Sequence, residues 1–370
     1  MNGTLVVDAD SHVEEPQEAW QYLDERYSDR RPVPVTGDPA FFKYGANSLW
    51  FIDGNVFPKL VAARGVTVYA TPVTMEWAKR KTFSLPSQTL LDPDARLKDM
   101  DKYGIDIQVN YPTVFLEPLT EDPDFETALI RSYNTYMATQ SNKRPDRLKW
   151  GAVMPMRRPQ EAAAEVRRAK EMGAVAAITT YGTIGDQNIA APELDPLWAE
   201  LERTGLPMAI HCGWSNPGIT RLFNDAYGSH VLGFTLPVLC AFHAILGGGV
   251  LDRFPRLKVL FLEAGCEWIP WQVQRMDHYY ESERFRGYVP ERKASEYLRD
   301  CQIYFTTEAE EINLPLVLKF VGEDRIMIAC DQPHEEAREG TVHEIKERGD
   351  LTDAQKRKIL GQNAVAFYNL

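Results

Sequence analysis

Eight short runs rich in Val, Ile and aromatic residues recur along the chain, and the segments between them carry helix signals. The runs cover residues 5–10, 105–111 (IDIQVNY), 148–154 (LKWGAVM), 174–180 (AVAAITT), 207–212 (PMAIHC), 258–263 (KVLFLE), 303–307 (IYFTT) and 325–331 (RIMIACD). None alternates cleanly between apolar and polar residues. Runs of that kind suit strands buried on both faces, as in a parallel sheet. Between them, PDARLKDMDKYG sets Leu97 and Met100 on one face and stops at Gly104. PQEAAAEVRRAKEMG and ELDPLWAELERTG are built from helix formers and close on Gly173 and Gly205. DLTDAQKRKILGQNAVAFYNL predicts a C-terminal helix pair. Eight strands alternating with helices predict an α/β fold, a (β/α)8 TIM-like barrel. A doubly wound open sheet is the alternative, but no GxGxxG follows the first strand.

A chain of 370 residues can form one such barrel with insertions, so residues 1–370 are read as a single domain. Residues 13–92 break the rhythm and form an insertion after the first strand. Within it, WFIDGNVFPKL reads as a hairpin turning at Asp53-Gly54. An insertion there leaves the C-terminal face of a barrel, where active sites lie, and is read as a lid or pocket wall.

Acidic residues outnumber basic ones by 53 to 41, a formal net charge of −12. That opposes broad binding to nucleic acid or to an anionic membrane. The longest apolar stretch, residues 231–246, contains His243 and reads as a buried helix, with His243 structural. No basic segment followed by an apolar core stands at the N-terminus. The five cysteines (Cys212, Cys240, Cys266, Cys301, Cys330) are odd in number and lack CxxC spacing. The reading is reduced thiols in a cytoplasmic protein.

Asp10 and His12 sit two residues apart at the end of the first strand, so both can leave the same side of it. His211 ends the fifth run and Asp331 the eighth. Four groups with metal-binding chemistry thus converge on one barrel rim. Imidazole with carboxylate is a mixed donor set for zinc, manganese or iron. Softer candidates surround them. His334 follows Asp331 by three residues and would orient it or touch substrate. Trp214 and His230 would line the pocket. Of Glu308, Glu310 and Glu311, one would face the pocket and the rest solvent.

The stretches DADSH, MAIHCG, GGGVLDRFPRLKVLFLEAG and IACDQPH resemble the amidohydrolase superfamily. The closer likeness is to its amidohydrolase-related branch, which contains aminocarboxymuconate semialdehyde decarboxylase and resorcylate decarboxylase. LLDPDARLKDMDKYGIDIQVNYPT resembles the segment that branch places before its second strand. The resemblance implies a distorted TIM barrel, one divalent metal ion, and a homo-oligomer (dimer or tetramer). It sets Asp10 in place of the first histidine of an HxH pair and His12 in place of the second. His211 matches the strand-five histidine and Asp331 the strand-eight aspartate. One departure stands out: the decarboxylases carry a histidine at the end of strand six, where this chain has Glu263 in LEAGCEW.

The expectation is a metal-dependent enzyme acting on a small, aromatic or carbonyl-bearing molecule. Zinc is the first choice of ion, and Asp331 with Glu263 would move protons. Hydrolysis or addition–elimination at a carbonyl carbon leads. Non-oxidative decarboxylation, ring-closing condensation in secondary metabolism and a non-catalytic ligand-binding barrel are the alternatives.

Overall fold

The computed structural model describes residues 3–35, 49–62, 65–68, 83–180, 183–184, 187–214, 216–287, 290–334 and 340–370. All eight strands form. They are β1 (Val7–Val13), β2 (Ile107–Pro112), β3 (Leu148–Val153), β4 (Ala176–Thr180), β5 (Met208–His211), β6 (Lys258–Phe261), β7 (Gln302–Thr307) and β8 (Ile326–Ile328). Each pairs in parallel with the next, in chain order. The sheet closes through the residues just beyond β8. Asp331 N–H donates to Asp10 O (2.8 Å), and His12 N–H donates to Gln332 O (2.6 Å). The barrel is therefore the observed fold, and its strands are buried on both faces as their composition requires.

The helix signals hold where they were explicit. Helix Pro93–Tyr103 starts on an Asp92 side chain that accepts from Asp94 N–H, and it ends at Gly104 with φ 73°. Helices Pro159–Glu171 and Asp195–Thr204 likewise run into Gly173 and Gly205, both with positive φ. The C-terminal pair is instead one continuous run, Asp353–Arg357, Lys358–Gln362 and Asn363–Tyr368, with a π-helical turn in the middle. Gly361 in that turn approaches β1 so closely that any Cβ would overlap the carbonyl of Leu5.

The apolar stretch at 231–246 lies in a longer helix, Ala226–Gly247. By length and composition this helix could cross a membrane. One face belongs to the barrel, because Val238, Ala241, Phe242 and Ile245 are buried and Phe242 stacks edge-on to Phe261 of β6 at 5.3 Å. The first turns are open, with Tyr227, Val231 and Leu232 exposed. His243, on the side of the helix away from Phe242, is exposed too, and is not the buried structural residue its apolar neighbours suggested.

The predicted hairpin is present. Strands Trp50–Ile52 and Asn55–Phe57 pair antiparallel around Asp53 (φ 48°) and Gly54 (φ 84°). Two successive positive φ values mark the tight turn that matches strand twist. The Asp53 carboxylate accepts from Arg30 (2.8 Å) and from Thr120 Oγ1 (2.5 Å), just past the C-terminal end of β2. A second hairpin, Lys59–Ala62 with Gly65–Val68, lies beside helices Pro217–Thr220 and Ala226–Gly247 that follow β5. The described parts of the insertion thus border the C-terminal ends of β2 and β5. Residues 36–48, 63–64 and 69–82 of it lie outside the described residues.

Arg96, fully buried on helix Pro93–Tyr103, locks the start of the barrel. Its guanidinium donates to Ser87 O (2.8 Å), Gln108 Oε1 (2.9 Å), Asn110 Oδ1 (2.9 Å), His12 O (2.9 Å) and Gln88 O (3.2 Å). Burial draws its pKa down to about 10, still protonated at neutral pH. Arg96→Met would leave several buried acceptors unpaired. The expected loss is about 3–5 kcal/mol of unfolding free energy, the usual cost of orphaning a buried charged network. Urea unfolding checks this, and a loss under about 1 kcal/mol would show that water replaces the guanidinium there.

Candidate active site

The two aspartates of DADSH do different work. Asp8 is fully buried and accepts from Ser11 Oγ (2.6 Å), Gln108 Nε2 (3.0 Å) and the backbone N–H of Cys330 (3.0 Å). It joins β1 to β2 and to the end of β8. Burial raises its pKa and these donors oppose the rise. The register of β1 shifts between Asp8 and Ser11, and beyond the shift Asp10 and His12 meet side chains from other strands.

Asp10, His12 and His211 bring three ligating atoms within 4.8 Å of one another, all buried. His12 Nε2 lies 3.5 Å from Asp10 Oδ1 and 3.3 Å from Asp331 Oδ1, and His211 Nε2 lies 3.6 Å from Asp10 Oδ2. Ligands at about 2.1 Å in a tetrahedron stand about 3.4 Å apart, so these spacings are those of a coordination shell. Among the described residues, neither Asp10 oxygen nor His12 Nε2 has a hydrogen-bond partner. Both imidazoles turn Nε2 inward because Nδ1 is spent on the backbone: His12 Nδ1 to Pro112 O (2.7 Å), His211 Nδ1 to Cys212 O (2.8 Å). Burial drives the Asp10 pKa well up and the His12 pKa well down, leaving His12 neutral. Orphaned donor atoms, neutral imidazole and a carboxylate that burial penalises are together what a divalent cation satisfies. The residues fit such an ion.

Glu263 and Asp331 flank this cluster, and both have left-handed backbone, φ 49° and 51°. That region is unusual for Glu, and strain of this kind collects at functional sites. Glu263 Oε2 lies 2.9 Å from His211 Nε2 and accepts from Cys212 Sγ (2.9 Å). Burial works against both charges, but each favours the other: His211 holds the Glu263 pKa down, and Glu263 holds the His211 pKa up. A cation bound at His211 would displace that imidazole proton.

His334 stacks on His12 (4.0 Å between centroids) and places Nδ1 3.0 Å from Asp331 Oδ1. Its Nε2 bonds Thr113 Oγ1 (2.9 Å). Trp214 is 6.2 Å from His334 and donates Nε1–H to Thr113 O (2.7 Å). His230 stands farther out. Its ring packs on Phe234 at 3.9 Å, and Phe234 meets Trp214 at 6.4 Å. All eight candidates therefore fall in one connected cluster, with His230 at its edge.

Thr113 and Glu15 are additions that the sequence did not mark. Glu15 is buried and accepts from the N–H groups of Thr113 and Val114, both at 3.0 Å, which fixes the turn after β2. The only local signal for Glu15 is its place in the glutamate pair that follows DADSHV. Of the acidic trio after β7, Glu311 is a staple. It accepts from the N–H groups of Cys266 (2.6 Å), Glu267 (2.9 Å) and Glu308 (3.0 Å) and joins the β6 and β7 loops. All five cysteines are free thiols.

The family described as Amidohydrolase matches residues 88–370. A gamma-resorcylate decarboxylase of Rhodococcus jostii (strain RHA1) is 30% identical over 305 residues, 76% of this chain and 89% of that one. Among solved structures, an amidohydrolase from Mycobacterium avium subsp. paratuberculosis K-10 superposes with TM-score 0.78 at 20% identity, over 100% of both chains. A dihydroxybenzoic acid decarboxylase from Polaromonas sp. JS666, with bound manganese and the inhibitor 2-nitroresorcinol, superposes with TM-score 0.65 at 20% identity. It covers 84% of this chain and 95% of that one.

Two measurements probe the cluster. Elemental analysis of protein purified without chelator should find about one divalent ion per chain, since one convergent donor set is present. His211→Ala should lose most of that ion while keeping its far-ultraviolet circular dichroism; unchanged metal content would remove His211 from the shell. Separately, burial pushes the Glu15 carboxyl up to about 7. A raised carboxyl pKa adds stability below its unfolded value of 4.5 that is lost as pH climbs through about 7. Between those limits the stability of wild type relative to Glu15→Gln should fall by roughly 3 kcal/mol. A flat difference would mean that Glu15 titrates normally.

Proposed function

The chain belongs to the amidohydrolase family, whose members are metal-dependent hydrolases and carboxy-lyases, and from that footing we propose that it decarboxylates small aromatic acids without oxidation. The observation that carries this reading is Asp331. Its carboxyl stands beside His12 of the donor set on one side and His334 on the other. The names of the relatives favour decarboxylation over the hydrolysis that the sequence put first.

The substrate class is an aromatic carboxylate with an oxygen ortho to it. A divalent cation on Asp10, His12, His211 and Asp331 would supply the Lewis acid that anchors both groups, with zinc favoured by the donors and manganese equally suited. Asp331 gives its proton to the ring carbon that bears the carboxylate. The carbon–carbon bond breaks, its electron pair restores the aromatic ring, and carbon dioxide leaves. Asp331 is left ionised and regains a proton from solvent. Trp214 walls the cleft, with His230 behind it, and the described hairpins of the insertion border its mouth.

Glu263 favours a second reading. A carboxylate at the end of strand six can accept a proton from an attacking water, which an apolar residue there could not do, and that suits hydrolysis. Turnover of 2,6-dihydroxybenzoate by the metal-loaded enzyme in D2O separates the two. Decarboxylation releases carbon dioxide and leaves one deuterium on the ring. Ester or amide cleavage with no carbon dioxide from any aromatic acid would overturn the proposal. In the same assay Glu263→Gln should lower turnover by about 10²–10⁴-fold with metal content unchanged if Glu263 moves a proton. A loss of metal instead would make it a ligand, and wild-type turnover would leave it a structural partner of His211.

A further inference from the structure

Outside the barrel, a cavity of about 560 Å³ opens between helix Ala226–Gly247, helix Ile269–Tyr280 and residues Arg284, Phe285, Pro290, Arg292 and Ala294. No strand residue lines it, so it is separate from the metal cluster. Its volume lies within the range of small-molecule sites. Its charge is opposite to that of the chain. Three guanidiniums, Arg275, Arg284 and Arg292, and the imidazole of His243 line it, with no carboxylate among the lining residues. The chain as a whole carries −12.

Three neighbouring acids are engaged elsewhere, and Glu291 is exposed to solvent. Glu281 pairs with Lys293 (2.5 Å), Glu283 with Arg286 (2.6 Å), and Asp277 accepts from Ser295 N–H (3.2 Å). Arg292 is anchored on Leu251 O (3.3 Å) and Asp252 (3.4 Å). Arg275 and Arg284 form no ion pair among the described residues. Each is held by an aromatic ring instead: Arg275 over Tyr279 at 4.8 Å, with a 2.8 Å bond to its hydroxyl, and Arg284 over Phe285 at 5.6 Å. Tyr279 and Phe285 meet edge to face at 5.6 Å, giving an apolar wall beside the two free forks. Across the cavity Gly247 leaves room for the His243 ring, which a Cβ there would crowd at 3.1 Å.

We propose that this cavity is a second ligand site, for a small organic anion with a flat aromatic body. Arg275 and Arg284 grip the anionic group through paired N–H donors, and Tyr279 with Phe285 takes the ring. A guanidinium already oriented by an aromatic face loses little freedom when the ligand arrives.

Calorimetric titration of the full-length, metal-loaded protein with 2-naphthoate, and with uncharged 2-naphthalenemethanol, tests this. Wild type and the His211→Ala variant should both bind 2-naphthoate at one such site per chain, and the alcohol at least about tenfold more weakly. The Arg275→Gln/Arg284→Gln double variant should lose that site by about tenfold or more while keeping its turnover and melting temperature. Binding that survives the double substitution, or that vanishes in His211→Ala, would place the anion in the metal cluster and overturn the proposal. So would a shift of the double variant to a smaller species in sedimentation without any naphthoate site in wild type, because the groove would then be an interface between copies.

Discussion

The seam between β1 and the residues after β8 is the contact on which the candidate site rests. A parallel barrel has no edge only if its last strand returns to its first. Here that return is made by a buried carboxylate. Asp8 accepts the backbone N–H of Cys330 while Asp331 and His12 exchange backbone bonds with Asp10 and Gln332. The same few residues that close the barrel carry Asp10, His12 and Asp331. Closure and donor geometry are therefore one event. Arg96 fixes the other side of β1 by holding the His12 carbonyl.

Much of this was legible in the sequence because barrel strands announce themselves. Runs such as AVAAITT and IMIAC have no polar face to show, and the helices between them end on glycines that take up left-handed backbone. The hairpin at Asp53-Gly54 followed from local turn chemistry for the same reason. Polar residues at strand ends were visible as exceptions to apolar runs, which is how Asp10, His12, His211 and Asp331 came to notice. Thr113, Glu15 and Arg96 were not visible in that way. Thr113 and Glu15 act through partners 80 or more positions away, and Arg96 joins side chains of the next strand to the distant His12 carbonyl; no local spacing encodes such partners. His243 was misjudged because apolar neighbours in sequence say nothing of which helix face they share with it. Tyr227, Val231 and Leu232 of the same helix are exposed as well, so hydropathy alone overstated burial.

Glu263 sets the electrostatics of the rim beside His211 while the barrel strands keep their order. A histidine expected at that position would leave His211 with Asp10, at 3.6 Å, as its anionic neighbour. The carboxylate instead sits 2.9 Å from His211 Nε2, takes the Cys212 thiol, and is turned inward by a backbone conformation that few glutamates adopt. The cluster thus contains three carboxylates, Asp10, Asp331 and Glu263, around two inward-facing imidazoles. Burial alone would protonate such a group, which is why a divalent ion suits it.

The backbone bonds of His12 and His211 also divide labour among the imidazoles. Pro112 O and Cys212 O can only accept, so His12 and His211 must each keep a proton on Nδ1. A ring held in one tautomer cannot take a proton on one nitrogen and release it from the other. His334 is built differently, for its two nitrogens face a carboxylate and a hydroxyl, and the hydroxyl of Thr113 can give or receive. Of the three stacked or crossed rings at this rim, it alone can conduct.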